Sequence, residues 1–493
     1  MKRRPQTQPI KWVARVVLLS LLMTCITGCI LLVAPAWLLL PIRVVGVRKF
    51  YRHWMSTLQL ILFGFTGFLL EVICGIRLTV TGSEELLERL LDQPMLISNH
   101  RTRLDWLFIA FFALRLRRLS ALKIALREDI KYIPFIGWGV QSFLFPFISR
   151  TDRVKDLATI KNTLEYLTAI QHPRGCSLLL FPEGTDLSRS NIAKSQAAAE
   201  AKSLPQWSNV LLPRSAGFCE ALSTLRNLNA IDSLVDITMG YVDFQPFERP
   251  NELCLWNGRF PREVHIHADY MRWSDLPVED QGDWLYQRFK RKEELLGRFY
   301  APLTLYTEGN NSEPPSEGDE RMSDTSTQLS HLEPSLWFAD DPQTRDTETC
   351  EETLTKDMRF VQYAMNSFVI SCLIALIINL LFVTLLWFFP YELGVYCICV
   401  TLVGLCVTHL IGGFHVLELD WFPVRVDMTN NASFYRPSPR EDSTDDKREH
   451  YSGTSESPWA ALVKMLGLRS SAARRTAYLE TVRHRAATMR SND

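Results

Sequence analysis

Four long apolar stretches restrict the folds open to this chain more than any other feature of its 493 residues. They are residues 16–40, 55–76, 367–389 and 392–414. A helix needs about 20 apolar residues to cross the hydrocarbon core of a bilayer, so each stretch is a candidate membrane segment. The first is longer than the apolar core of a cleavable signal peptide, which favours a retained segment. Only Pro390 and Tyr391 separate the last two, which predicts a tight transmembrane hairpin.

Lysine and arginine residues beside membrane segments predict which side of the bilayer each loop occupies. The hairpin link has none, whereas a dozen follow from Arg425 onward, so the tail and the residues before the hairpin should be cytosolic. The first pair is ambiguous, because basic residues precede it and also fill its link. Those link residues are Arg43, Arg48, Lys49 and Arg52. Pro35 and Pro41 disfavour a continuous helix, so a re-entrant first segment is favoured over a full crossing, and both remain open.

The remaining chain divides by composition and pattern. Residues 309–358 contain 13 acidic and 3 basic residues among Ser, Thr, Pro and Asn, which predicts a disordered acidic linker. The predicted order is membrane-associated helices at 1–76, a cytosolic domain at 77–308, the linker at 309–358, a transmembrane hairpin at 359–415 and a cytosolic polar and basic tail at 416–493.

Residues 77–308 alternate between strand and helix patterns. The predicted strands are Arg77–Thr81, Met95–Ser98, Lys123–Leu126, Leu144–Ile148, Ser177–Phe181, Val210–Pro213, Val235–Val242 and Val264–Ala268. The predicted helices are Glu84–Leu91, Leu104–Arg118, Val154–Ile170, Ile192–Lys202 and Gln281–Arg298. This alternation predicts an α/β sandwich with a largely parallel sheet.

Charge and cysteine content argue against several classes of protein. The 54 basic residues are balanced by 54 acidic ones, so there is no basic excess of the kind that nucleic-acid binding requires. The 11 cysteines form no C-x-x-C pair, and most lie in apolar stretches. Neither a disulfide framework nor a zinc site is therefore expected.

The stretch "ISNHRTRLDWLF" places His100 after a predicted strand and Asp105 at the start of a predicted helix. The spacing alone is uninformative, since a loop histidine and a helix N-terminal aspartate are common. Its location carries more weight, because ligands of open α/β sheets bind at the carboxyl ends of the strands. An imidazole oriented by a carboxylate can act as a general base near neutral pH. No G-x-S-x-G elbow supplies a nucleophile, so the activated hydroxyl should belong to a substrate.

Three further residues follow apolar runs at comparable positions. Glu183, in "LLLFPEGTDLSRS", lies in what could be an ordinary β-turn, but a carboxylate buried there requires a partner. Arg150 and Arg214 each follow an apolar run. Such arginines are usually solvated, but two together suggest a phosphate clamp, because guanidinium groups bind phosphate oxygens in a bidentate way.

Taken together, these stretches resemble the glycerophospholipid acyltransferases, whose signature blocks are N-H-x4-D, F-I-x-R, F-P-E-G-T and a proline-containing fourth block. All occur here in family order: Asn99, His100 and Asp105; Phe147, Ile148 and Arg150; Phe181–Thr185; Leu212–Pro213. The likeness covers roughly residues 95–270, about a third of the chain. It favours the lysocardiolipin and lysophosphatidylinositol acyltransferase branch, on "NHRTRLDW", "FPEGTDLSRS" and "FPREVHIHADY".

The resemblance implies a glycerol-phosphate-acyltransferase-like αβ sandwich that transfers a fatty acyl group from acyl-CoA to the free hydroxyl of a lysophospholipid. His100 would take the hydroxyl proton and Asp105 would orient the ring. The substrate-binding residues implied are Arg150, Glu183, Gly184, Thr185 and, from the branch alone, Arg214. A thioester is already reactive, so acyl-CoA is a co-substrate and neither a metal nor another cofactor is expected.

The expected partners are therefore acyl-CoA, a lysophospholipid and the lipid bilayer, with no nucleic acid and no indication of a protein partner. The endoplasmic reticulum membrane is the expected compartment, because no amphipathic, acidic-poor transit peptide is evident. Two alternatives remain: an acyltransferase that acts on lysophosphatidic acid, and an inactive membrane scaffold that binds lipid. The scaffold is disfavoured because His100, Asp105 and Glu183 are all intact.

Overall fold

The computed structural model describes residues 11–42, 44–82, 86, 94–171, 176–242, 252–309 and 358–421. The predicted acidic linker, most of the predicted tail and nearly all of the predicted helix at 84–91 lie outside the described residues.

Eight strands are present in the described residues. They are β1 (Arg77–Gly82), β2 (Pro94–Ser98), β3 (Leu122–Ile124), β4 (Leu126–Arg127), β5 (Phe147–Ile148), β6 (Ser177–Leu180), β7 (Ser233–Tyr241) and β8 (Glu263–Arg272). Six of them form one sheet in the order β1-β8-β7-β2-β6-β3, in which only β7 and β8 pair antiparallel. Strands β4 and β5 form a separate parallel pair. The predicted α/β class with a largely parallel sheet is confirmed.

Two predicted strands are wrong in whole or in part. Residues 210–213 are irregular, because side chains rather than a neighbouring strand accept their backbone N–H groups. The amides of Val210, Leu211 and Leu212 donate to Glu293, Glu183 and Ser195 respectively. The strand predicted at 144–148 is reduced to β5, outside the main sheet.

The helices labelled here follow in chain order. They are α1 (Lys11–Gly28), α2 (Val45–Gly67), α3 (Asp105–Arg115), α4 (Ile136–Ser142), α5 (Arg153–Gln171), α6 (Arg189–Glu200), α7 (Ser215–Asn227), α8 (Glu252–Trp256), α9 (Gln281–Gly309), α10 (Met358–Phe388) and α11 (Pro390–Cys406). Helices α3, α5, α6 and α9 match predicted helices, whereas α4, α7 and α8 were not predicted.

Alternate residues of the strands supply two cores, one on each face of the sheet. Leu96 of β2 joins a core that contains α3 and residues of α1, α2 and α10. Its neighbours Met95 and Ile97 join a core built with α5, α7 and α9. Apolar helices of the predicted membrane segments therefore form part of one layer of the sandwich.

The prediction that Pro35 interrupts the first apolar segment is wrong. Helix α1 continues through a π-helical stretch, Cys29–Val33, and further short helical turns to Leu39, and the chain turns only near Pro41. Pro35 lies at the start of the short helix Ala34–Ala36, where a missing N–H is tolerated. Within the described ranges, four helical segments are long and apolar enough to cross a membrane: Lys11–Leu39, Val45–Ile73, Val361–Phe388 and Pro390–Ile411.

Helices α2 and α10 approach closely at two glycines. A Cβ atom on Gly64 would collide with Ser371, and one on Gly67 would collide with the ring of Phe368. Small residues let helix backbones approach in this way in membranes. The C-terminal hairpin is thereby joined to the same helical layer that covers the sheet.

Candidate functional site

His100 and Asp105 meet at the carboxyl end of β2. The Nδ1 atom of His100 lies 3.0 Å from Oδ2 of Asp105, and the imidazole stacks on Phe181 with a centroid distance of 4.3 Å. The Asp105 side chain is fully buried, whereas 15% of the His100 side chain is exposed. Among the described residues no hydrogen bond involves Nε2, so this nitrogen is left to meet a substrate.

Asp105 is held by three donors as the first residue of α3. Its Oδ2 also accepts the backbone N–H of Thr102 at 2.9 Å. Its Oδ1 accepts the hydroxyl of Tyr241, at the end of β7, at 2.6 Å. Because both oxygens are bonded, the carboxylate has a fixed position against the imidazole.

Glu183 is buried beneath the loop that carries His100. Its Oε1 accepts the backbone N–H of His100 at 2.8 Å, and its Oε2 accepts that of Leu211 at 3.1 Å. Burial raises the pKa of Glu183 well above its usual value, although the two backbone donors oppose this. The carboxylate therefore joins the histidine loop to residues 210–213, and its position is that of a support rather than of an exposed ligand.

Arg150 follows β5 with a backbone conformation that is unusual for a non-glycine residue, at a φ of 65°. Asp156 stabilises this turn, because its carboxylate accepts the backbone N–H groups of Ser149 and Arg150, each at 2.8 Å. Loss of hydration and the nearby guanidinium groups of Arg127 and Arg214 lower the pKa of Arg150. The carboxylates of Asp186 and Asp129 oppose this shift, so Arg150 lies in a cluster of mixed charge in which guanidinium groups are available to bind an anion.

Gly184, Thr185 and Arg214 lie on adjoining loops. The backbone N–H of Arg214 donates to the carbonyl of Pro182 at 2.8 Å, which fixes the two loops together. Gly184 has a φ of 72°, and a Cβ atom there would touch the Arg214 side chain. Thr185 accepts a hydrogen bond from the Asn191 side chain at 3.1 Å.

A cavity of about 690 Å³ lies between the sandwich and the first membrane helices. Its lining is almost wholly apolar and includes Gly28 of α1, Leu62 of α2, Leu104 and Leu107 beside Asp105, and Ile378 of α10. Ligand pockets are typically about 300–1,000 Å³. The volume and the apolar lining suit a long hydrocarbon chain, and the lining reaches the residues on both sides of Asp105.

The predicted residues at the carboxyl ends of β2 and β6 therefore lie close together, Arg214 is joined to them through Pro182, and Arg150 interacts with Arg214. Glu183 contacts backbone amides in this group. Sequence reasoning missed Tyr241 and the cavity. The stretch "DITMGYVDF" includes Tyr241, but nothing in its pattern indicates that the hydroxyl meets a carboxylate 136 positions earlier.

Comparison with known proteins assigns the family. A family model described as Acyltransferase matches residues 77–235. The chain is 32% identical to lysocardiolipin acyltransferase 1 from Mus musculus over 317 residues. This alignment covers 64% of this chain and 81% of that relative. The chain belongs to the glycerophospholipid acyltransferase family.

Other members of the glycerophospholipid acyltransferase family show comparable similarity. The chain is 35% identical to lysocardiolipin acyltransferase 1 from Danio rerio, over 58% of this chain and 71% of that protein. It is 31% identical to lysophosphatidylinositol acyltransferase 10 from Caenorhabditis elegans, over 54% and 66% respectively. The solved structure of the 1-acyl-sn-glycerophosphate acyltransferase PlsC from Thermotoga maritima has a TM-score of 0.35 and 16% identity, over 62% of this chain and 100% of that one. The family model and the named relatives assign this membrane acyltransferase to phospholipid metabolism.

Proposed function

We propose that this acyltransferase moves a fatty acyl group from acyl-CoA to the free hydroxyl of a lysophospholipid, with lysophosphatidylinositol or lysocardiolipin as the favoured acceptor. One observation carries the proposal: Nδ1 of His100 lies 3.0 Å from Asp105, which leaves the other ring nitrogen available, and the chain neighbours of Asp105, Leu104 and Trp106, line an apolar cavity. The names of the relatives support the acceptor class.

In the proposed mechanism Nε2 of His100 takes the proton of the acceptor hydroxyl as its oxygen attacks the thioester carbonyl. The tetrahedral intermediate then expels the thiolate of CoA, which regains a proton from the imidazolium, so the products are a diacyl phospholipid and free CoA. Asp105 stabilises the transient imidazolium and fixes the ring orientation. Positioned general bases contribute rate factors of about 10²–10⁴.

The acceptor phosphate is proposed to bind Arg150 and Arg214, with Gly184 and Thr185 beside it. The convergence of these guanidinium groups supports this role, because clustered arginines favour an anion that they can bind together. Glu183 is proposed to act by positioning the His100 loop, since both of its oxygens accept backbone N–H groups.

The apolar cavity is proposed to hold the acyl chain of the donor. The carbon that is attacked must lie at His100, so the chain that leads directly away from it needs an apolar space that begins beside the dyad. Leu104 and Trp106, on either side of Asp105 in the chain, line the cavity, which supports this role.

Replacing Gly28 with leucine is expected to shift donor preference toward shorter chains. A Cβ atom on Gly28 meets nothing within 4 Å, and the residue lines the cavity, so the new side chain would occupy the space of the acyl chain. Displacing two methylenes, at ~0.8 kcal/mol each, corresponds to a change of about 10-fold in the preference for oleoyl-CoA over lauroyl-CoA. Initial rates with the two donors measure this ratio.

Gly394→Leu is the matched control for this substitution. A Cβ atom on Gly394 also meets nothing within 4 Å, but Gly394 does not line the cavity. An unchanged donor preference in Gly28→Leu would contradict the assignment of the cavity. A changed preference for the acyl chain of the lysolipid alone would assign the cavity to the acceptor.

We also propose that the enzyme is a multi-pass protein of the endoplasmic reticulum membrane, with the catalytic domain facing the cytosol. The hairpin link Phe389–Tyr391 carries no basic residue, which supports a luminal link. The hydroxyl of Tyr166, in α5 of the catalytic domain, donates to Glu418, which supports a position of the segment after the hairpin on the catalytic side. The compartment is the default expected from the sequence, and neither the link nor the contact of Glu418 bears on it.

A panel of lysophospholipids tests the proposed reaction directly. Microsomes that contain the full chain are incubated with labelled acyl-CoA and with lysophosphatidylinositol, lysocardiolipin, lysophosphatidic acid or lysophosphatidylcholine, and the diacyl products are separated. We expect the highest rate of transfer with lysophosphatidylinositol or lysocardiolipin. A clear preference for lysophosphatidic acid would replace the favoured acceptor, and absence of transfer to every acceptor would support a lipid-binding scaffold.

A further inference from the structure

The end of β7 supplies a polar group to the catalytic centre that the proposed mechanism has not used. Tyr241 is fully buried, and its hydroxyl donates to Oδ1 of Asp105 at 2.6 Å. The other oxygen of Asp105, Oδ2, is hydrogen-bonded to Nδ1 of His100. The carboxylate therefore forms hydrogen bonds with both an imidazole and a phenol. Loss of the bond to one oxygen changes the negative charge, and so the hydrogen-bond strength, at the other oxygen.

Tyr241 is itself held firmly in place. Its ring packs edge-to-face with the ring of Phe108, at a centroid distance of 5.9 Å. Its backbone N–H donates to the hydroxyl of Tyr300 at 3.0 Å. The guanidinium of Arg101 lies 4.2 Å above the ring of Tyr300. The phenol is thus fixed against Asp105 before any substrate binds.

The phenol also stays protonated over the working range of the enzyme. Burial raises the pKa of Tyr241 well above its usual value, and the adjacent charge of Asp105 raises it further. A protonated phenol donates a hydrogen bond to the carboxylate of Asp105. Such charge-assisted hydrogen bonds are stronger than those between neutral groups.

We propose that Tyr241 is a positioning residue that sets the basicity of the dyad by withdrawing charge from Asp105. This inference rests on the proposed role of His100 as the general base. With the phenol present, Asp105 attracts the imidazole proton less strongly, so His100 becomes neutral, and hence active as a base, at lower pH.

Other ionisable groups face the dyad and belong to the same balance of charge. Asp105 interacts electrostatically with Glu183 and Tyr300, and these interact in turn with Lys292 and Arg101. All of these groups are buried, so they are retained unchanged when the Tyr241 hydroxyl alone is removed.

Tyr241→Phe is the test, with initial acyl-transfer rates measured across a range of pH. Without the phenol, Asp105 holds a proton more strongly, whether on the imidazole or on itself, and either change keeps the base inactive to higher pH. We expect the acidic limb of kcat/KM to move upward by ~1 pH unit, so that activity at pH values below the limb falls about 10-fold. Replacing Tyr241 by 3-fluorotyrosine, a stronger donor, should move the limb in the opposite direction.

Tyr166→Phe provides a matched control. Tyr166 is also buried and also donates to a carboxylate at 2.6 Å, but its acceptor is Glu418 rather than Asp105. Its removal can lower stability, and we expect it to leave the pH profile in place. If Tyr241→Phe lowers only the yield or the plateau rate, with the limb unmoved, Tyr241 is merely structural and the inference is overturned.

The His100→Ala variant separates this inference from the proposed function. If His100→Ala retains activity, the general base is misassigned and the proposed mechanism fails with it. If His100→Ala is inactive while Tyr241→Phe and the fluorotyrosine variant both keep the wild-type profile, only the role of Tyr241 is rejected.

Discussion

Replacing His100 with alanine is expected to lower kcat for acyl transfer by about 10²–10⁴, because it removes the group that takes the hydroxyl proton. KM for both substrates should change little, since Arg150, Arg214 and the apolar cavity are untouched. The measurement is the initial rate with acyl-CoA and the best lysophospholipid of the panel, at equal amounts of protein in the membrane. Asp105→Asn keeps the shape of the orienting group, and we expect it to reduce kcat as well.

His53→Ala is the control for the loss of a histidine. His53 is exposed on α2, outside the site, and its removal should leave transfer unchanged. The apparent Tm in detergent shows whether His100→Ala still folds, since the His100 ring is partly exposed and supports little of the core. A folded His100→Ala protein with activity within a few-fold of the wild type would rule out the proposed base.

The neighbourhood of His100 illustrates what can be predicted from sequence. A buried strand followed by a histidine and a helix-starting aspartate locates the dyad, because all of these signals lie within a dozen residues. The second oxygen of Asp105 is bonded by Tyr241, which reaches it only because β7 lies beside β2. Strand order is set by the packing of the whole sheet, so such a partner could not be predicted from local pattern.

The irregular stretch at 210–213 shows a second limit of sequence reasoning. Its apolar run ends in proline and has the composition of a strand. The carboxylates of Glu183 and Glu293, however, accept hydrogen bonds from its backbone N–H groups. A backbone N–H group needs a partner but does not specify whether a strand or a side chain supplies it. Local periodicity reports burial, and burial alone does not distinguish the two.

Charges near the membrane show a third limit. Arg48 and Arg52 are among the basic residues of the link that make the predicted orientation of the first pair ambiguous. The structure buries both side chains and pairs Arg52 with Glu418, which follows the C-terminal hairpin. A residue held in an internal ion pair says little about which side of the bilayer its loop faces, so the positive-inside rule loses force here.

Glu418 joins the C-terminal hairpin to the catalytic unit through a buried ion pair. Its Oε1 lies 2.8 Å from Nε of Arg52 and accepts the hydroxyl of Tyr166 at 2.6 Å. The side chains of Arg52 and Glu418 are 1% and 2% exposed. Glu418 lies in the π-helical turn Leu417–Trp421, at the start of the region predicted as a polar and basic tail.

Replacing Glu418 with alanine is expected to destabilise the folded protein by about 3–5 kcal/mol, because it leaves the Arg52 guanidinium buried without its counter-charge. The loss should appear as a lower apparent Tm in detergent and as lower abundance in the membrane. Lys155→Ala is the control: it breaks the pair between Lys155 and Glu128, in which the lysine is 60% exposed, and such pairs contribute at most about 1 kcal/mol.

The double variant Arg52→Met with Glu418→Leu separates the energy of the ion pair from that of packing. Apolar side chains of similar volume can replace a buried ion pair with little loss, so the double variant should be more stable than Glu418→Ala. Recovery of stability together with acyl transfer would assign the pair a role in joining the hairpin to the sandwich rather than in the reaction. If Glu418→Ala is as stable as Lys155→Ala, the Glu418 carboxylate is not buried against Arg52 in the membrane-embedded protein. The contacts between the hairpin helices and α2 would then hold the hairpin in place.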